Sequence, residues 1–313
     1  AFLQGASIDS ENNIMRDDLR KKNLIPTVEP YTALEGFRHF GTGGREELDP
    51  ALLAIEGNNA IVDWVMIELR DKNNPSEVIT TQSGLIQRDG DVVTVNGDSI
   101  MVFENVVVDD YYVSIKHRNH LAMYSLYTQT FGPALVPYVD FTNVFTPVMG
   151  EVSGVEFGGK RAMWSGDINA DSKIIFQGPK NDIFQMFMHI LLDDGNNKFL
   201  TNFISQGYTQ RDFNMDGKVV YQGPGNDRSP LLYHTVLEHP ENGTNISNFV
   251  VQTGVESDSI IIEPEWLATD ECAGNYTLDG CEYDGDGLVN EADFDKDGDG
   301  VPDSLDIKIF DKT

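Results

Sequence analysis

The segment GDINADSKIIFQGPKND (166–182) returns 45 residues later as RDFNMDGKVVYQGPGND (211–227). Asp167 matches Asp212, Asn169 matches Asn214, Asp171 matches Asp216, Lys173 matches Lys218, and Asp182 matches Asp227. A Gly-Pro pair (178–179 and 223–224) precedes the closing Asp in both copies. A chain that repeats this many polar positions must build the same small object twice. Side-chain oxygens at positions 1, 3 and 5 of a tight loop converge on one point. Position 7 then adds a backbone carbonyl, so a Lys is tolerated there. This is a cage of hard oxygens of the kind Ca²⁺ takes, six to eight at a time. The closing acid stands at position 16 in both copies, whereas the common 12-residue loop places it at position 12. An insertion carrying Gln-Gly-Pro separates it from the loop. The competing reading is a pair of Asp/Asn-rich turns without metal.

A second repeat, of period 13, occupies the tail. Glu282 matches Asp295, Asp284 matches Asp297, Asp286 matches Asp299, Asn290 matches Asp303, and Asp293 matches Asp306. Val301 stands at position 7 of the second copy, DKDGDGVPDSLD (295–306). Such segments carry little apolar core, so metal binding would supply their folding energy. A solvated acidic tail is the alternative.

The repeats account for an otherwise odd composition. Lys and Arg total 22 against 51 Asp and Glu, a formal net charge of −29. That charge repels phosphates and anionic headgroups, which argues against nucleic acid or an acidic membrane surface as partner. Four Ca²⁺ ions would offset part of it. No apolar run reaches the ~18–20 residues of a membrane span. The chain opens AFLQGAS without the basic start of a signal peptide. Weak calcium sites stay empty at cytosolic calcium levels, so the expectation is a processed, secreted chain at the cell surface. Secretion in turn favours a short disulfide between Cys272 and Cys281, worth ~2–3 kcal/mol on chain-entropy grounds.

Three regions are expected. Residues 1–145 read as an antiparallel β-sandwich, with strands at 61–71, 92–97, 100–108 and 111–118 separated by turn signals. Residues 16–24 form a short helix or a loop. Residues 146–250 comprise a linker or an extra strand and then the double loop, with helices at 183–192 and 231–237. Residues 251–313 comprise a strand and the acidic tail. The predicted fold class is therefore multidomain and mainly β: a sandwich, a small helical calcium-loop module and a calcium-ordered tail.

The paired D-x-N-x-D loops, each followed by a helix, resemble dockerin domains over about 161–240. The resemblance implies as ligands Asp167, Asn169, Asp171, the Lys173 carbonyl and Asp182 in one loop. In the other it implies Asp212, Asn214, Asp216, the Lys218 carbonyl and Asp227. The tail resembles thrombospondin type 3 calcium repeats. That implies ligands among Asp284, Asp286, Asp293, Asp295, Asp297, Asp299, Val301, Asp303 and Asp306. The phrases AFLQGAS, IMRDDLRKKNLIPTVEPY, IVDWVMIELRD and YYVSIKHRNHL resemble a β-sandwich module of secreted adhesin- or haemagglutinin-like bacterial surface proteins.

No HExxH, GxSxG, phosphate loop or reactive Cys occurs, so catalysis is not expected. His117 and His120 in KHRNH read as surface residues at a strand end. The glycine-rich RHFGTGGREE (38–47) lacks the Lys-Ser/Thr of a phosphate loop. Sequons at Asn242, Asn245 and Asn275 are compatible with glycosylation. The resulting expectation is a calcium-stabilised structural protein, a subunit of a surface fibre or pilus-like filament assembled head to tail. Its AFLQGA strand would pair in its own sheet or fill a neighbour's edge. The alternative is an adhesion or carbohydrate-binding module, favoured by exposed rings among Tyr111, Tyr112, Tyr124 and Tyr127. Partners would be further copies of the chain, other surface proteins or glycans.

Overall fold

The structure is a computed structural model and describes residues 1–7, 14–133, 135–150 and 152–252. Among them the protein is mainly β, with antiparallel sheets and few helices. The tail ligands proposed between Asp284 and Asp306, the two cysteines, the Asn275 sequon and residues 253–263 of the expected late strand lie outside the described residues.

Helical turns α1 (Gln4–Ser7) and α2 (Asp18–Lys21) precede the main sheet. Its strands are β1 (Ile61–Asp71), β2 (Val78–Gln87), β3 (Val92–Val93), β4 (Asp109–His117), β5 (His120–Tyr124) and β6 (Gln129–Phe131). They run in the order β3-β2-β1-β4-β5, and β6 also pairs with β4. β1 is central because almost every residue of IVDWVMIELRD is buried, as a strand covered on both faces requires. Trp64 lies opposite Leu85, and Leu69 opposite Val113. Their side chains join Met15, Tyr31, Ile86 and Ile115 in one apolar core.

Three features depart from the sequence pattern. The strand expected over 92–97 is confined to Val92–Val93, and residues 94–97 turn away. Residues 100–108, expected as a strand, are irregular. Asn105 takes a left-handed φ of 59° there, which breaks an extended run. Both sides of β4 are also occupied, by β1 on one and by β5 and β6 on the other, leaving the run no partner there. The opening AFLQGA is not a strand. Leu3 forms one parallel bridge with Met163, and α1 follows immediately. Residues 1–7 are buried in their own subunit, where the Ala1 amine donates to the Gly90 carbonyl at 2.6 Å.

Beyond the sheet lie β7 (Val155–Phe157) and β8 (Lys160–Ala162), a hairpin in the stretch expected as a linker or an extra strand. Then come β9 (Lys173–Ile175), α3 (Asp182–Leu192), β10 (Ile204–Gln206), β11 (Lys218–Val220), α4 (Arg228–Pro230) and β12 (Val250–Gln252). α4 continues as a π-helical segment over Leu231–Leu237. Both expected helical runs are thus helical. A second core gathers Ile168, Ile174, Met186, Phe213, Val219 and Leu231. These are three pairs spaced by the repeat, so the duplicated segments bury equivalent apolar positions against each other. Met163 and Met215 lie in the first core and Leu121 in the second, so residues on both sides of position 145 share both cores.

Candidate metal centres

Each loop is shaped by the same backbone conformation. Positions 4 and 6 are left-handed in both: Ala170 at 58° and Ser172 at 66°, Met215 at 58° and Gly217 at 81°. Glycine meets this demand at no steric cost, which explains Gly217, whereas Ser172 bears the strain. The left-handed turns aim successive N–H groups inward at the carboxylates. Asp212 accepts from Asp216 N at 3.1 Å and Gly217 N at 2.7 Å, and Asp167 accepts from Ser172 N at 3.1 Å. Asn169 and Asn214 accept from the amides of Asp171 and Asp216. Asp171 and Asp216 accept from those of Lys173 and Lys218, at 2.9 Å in both loops.

The insertion before the closing acid is itself a closed turn. Asn181 and Asn226 each donate their side-chain amide to the glycine carbonyl three residues back, at 2.7 Å in both copies. This delivers Asp182 to the amides of Ile168 (3.1 Å) and Ile175 (2.8 Å). In the same way Asp227 reaches Phe213 (3.1 Å) and Val220 (2.8 Å). Position 16 therefore returns to the loop in both copies.

These carboxylates are buried: Asp167 is 6% exposed, and Asp182, Asp212 and Asp227 are fully enclosed. Burial, reinforced by Asp171, pushes the Asp167 carboxyl up to about 8. Burial lifts Asp212 to about 7 against the opposing pull of Arg118, with Asp216 adding to the rise. Asp182 is driven well above the ordinary carboxylate range by burial and then by Asp167. Asp227 is driven up by burial and then by Asp212. One oxygen, Asp167 Oδ1, is buried without a hydrogen-bond partner among the described residues. Buried acids crowded together with an unsatisfied oxygen are short of positive charge. A hard divalent cation suits an all-oxygen donor set of this kind.

Among the described residues, one group of three acidic or histidine side chains brings its donor atoms within 4.8 Å of one another: Glu29, His39 and Glu46. The carboxylates of the two loops are not drawn that close. The Glu29 group was not visible in the sequence, because the loop carrying Glu46 folds back across β2. Its donors are already engaged. His39 meets Glu29 at 3.1 Å and Thr81 at 3.0 Å, and Glu46 accepts from the amides of Gly44, Arg45 and Ser83. This network fastens the glycine-rich segment to β2, where a Cβ at Gly43 would come within 2.3 Å of the Thr81 carbonyl.

His117 and His120 are not surface residues, being only 2% exposed each. The β4–β5 turn that carries them is pressed under the loop module. His117 meets Asp63 at 3.1 Å and His120 at 2.8 Å, while Arg118 and Tyr208 also bind Asp63, at 3.0 and 2.7 Å. Burial holds both imidazoles below their ordinary range, His120 furthest. The Tyr cluster does not form an exposed face: Tyr111 and Tyr124 are buried, and Tyr127 is exposed. Neighbours along a strand point to opposite faces, which separates Tyr111 from Tyr112. Asn242 is no glycan acceptor in this fold, because its buried amide donates to the carbonyls of Val236 and Ile246. No protein-family model, curated protein or solved structure matches the chain.

Proposed function

We propose that the protein is an extracellular structural protein whose duplicated loops each hold one Ca²⁺. Asp167, Asn169, Asp171, the Lys173 carbonyl and Asp182 would hold one ion. Asp212, Asn214, Asp216, the Lys218 carbonyl and Asp227 would hold the other. The observation that carries this reading is the buried, partnerless Asp167 Oδ1 inside a loop whose backbone turns and amide contacts recur 45 residues later. Bound calcium would supply the positive charge these acids lack and would stabilise the folded state by mass action. Extracellular calcium concentrations suit sites of modest affinity.

Within this reading the amino-terminal region is a β-sandwich, the loops form a dockerin-like module, and the acidic tail binds further calcium. The chain would serve as a subunit of a surface fibre made of its own copies. Exposed Val102, Val107, Val136, Tyr138 and Phe145 supply apolar surface for such a contact. Because residues 1–7 are enclosed in their own core, head-to-tail contact between surfaces fits this chain better than donation of that segment.

Titration calorimetry together with thermal melting tests the proposal. Calcium at about 100 times Kd contributes ~2.7 kcal/mol per site, so two sites raise the melting temperature by roughly 10 °C. No calcium heat, and equal melting with calcium and with chelator, would leave the proposal without support. Electron microscopy of native material tests the fibre: filaments are expected, and monodisperse particles alone would count against it.

A further inference from the structure

The repeat extends beyond the two loops. Asn196 and Asn242 stand in equivalent places after the two helical segments. Asn196 donates to the carbonyls of Ile190 and Leu200 and accepts from the Leu200 amide; Asn242 does the same with Val236 and Ile246. Each copy then ends in a short strand, β10 in the first and β12 in the second. Each copy is therefore a loop, a strand, a helical segment, an Asn-pinned turn and a closing strand.

The closing strands are exchanged. β9, which leaves the first loop, pairs with β12 of the second copy: Lys173 with Gln252, Ile174 with Val251, and Ile175 with Val250. β11, which leaves the second loop, pairs with β10 of the first copy: Lys218 with Gln206, Val219 with Ser205, and Val220 with Ile204. Lys173 and Lys218 are the position-7 residues whose carbonyls the loops would offer to an ion. The backbone of each loop is thus registered by the other copy. The β4–β5 turn adds a second tie. The Asn119 carbonyl accepts from Gly166 N at 2.9 Å, just before the first loop, and its side-chain amide donates to the Asp212 carbonyl at 2.7 Å, at the start of the second. Ser165 donates to the Phe213 carbonyl at 3.0 Å.

We infer that the two loops are one cooperative binding unit, in which an ion in either loop raises the affinity of the other. The inference rests on the calcium reading above. Ordering one loop fixes a strand and a turn that the other copy shares, so the second ion meets a frame already ordered. Coupling of this kind is reciprocal and commonly amounts to ~5–150-fold in affinity.

The test is calcium titration of the whole chain by calorimetry, with Asp171→Asn to weaken the first loop and Asp216→Asn to weaken the second. The expected result is a sigmoidal wild-type isotherm for this pair of sites. In each variant the intact loop should bind at least about fivefold more weakly, by the same factor in both directions. Should a variant fail to fold, the wild-type isotherm decides, since independent sites give no sigmoidal phase. Two ions bound without cooperativity, with the intact loop unchanged in both variants, would overturn this inference and leave the calcium reading standing. No uptake by the wild type would overturn both.

Discussion

At the residue scale, Asp63 shows how burial and pairing compete. Burial alone would raise its carboxyl, but the Arg118 guanidinium and then His117 and Tyr208 outweigh it and hold the group at about 2. The pair sits in a fully enclosed pocket, so removing one partner strands the other charge. Asp63→Asn is expected to cost about 3–5 kcal/mol, read by chemical denaturation. A loss under 1 kcal/mol would mean that Arg118 finds other partners. Asp167 and Asp212 behave in the opposite way. Their folded values, about 8 and about 7, lie above the unfolded value of about 3.9. The ion-free folded protein therefore binds more protons than the unfolded chain between those limits. Its stability should fall as pH rises from about 6.5 to 8.5, while Asp63, ionised throughout, adds no slope there; below about 6.5 the buried histidines, held neutral in the fold, pull the other way. On the proposed reading, bound calcium would hold the carboxylates ionised and flatten the fall. Melting temperatures across that range in chelator and in calcium check this; a flat curve in chelator would contradict the burial argument.

At the scale of elements, α3 illustrates what local sequence can settle. Ile183, Met186 and Ile190 recur at helical spacing and are all buried. Asn181 caps the helix by accepting from Phe184 N at 2.8 Å, and it also closes the inserted turn on Gly178. Asn181→Ala should therefore cost more than the ~1 kcal/mol of a simple cap and should weaken calcium binding in the first loop; denaturation and titration of the variant check both. β1 was equally plain, because apolar residues cluster along IVDWVMIELRD and turn signals flank it. β2 was not singled out: Thr80, Thr81 and Ser83 dilute its apolar pattern, and they are buried only because β1 and the segment of His39 and Phe40 cover them. Residues 100–108 misled in the other direction. Valines alone do not make a strand where both sides of the adjoining β4 are taken and Asn105 is left-handed.

At the scale of the whole molecule, duplication was legible because Asp and Asn recur at the same intervals in both copies, and that spacing is written in consecutive residues. The positions of Asp167 through Asp227 and the helical segments behind both loops followed from it. The exchange of β10 and β12 was not legible, nor was the enclosure of His117, Arg118 and Asn119 beneath the module. Strand exchange depends on which of two similar edges each strand meets, and copies this alike offer nearly equal local choices. Burial of a polar turn depends on what packs over it, here residues about 90 positions further along the chain. The sequence by itself determined that the same Asp and Asn positions recur at a 45-residue interval. Only the tertiary structure decided that the two loops lie in one core and pair with each other's closing strands, because long-range pairing is set by the contacts of the assembled chain.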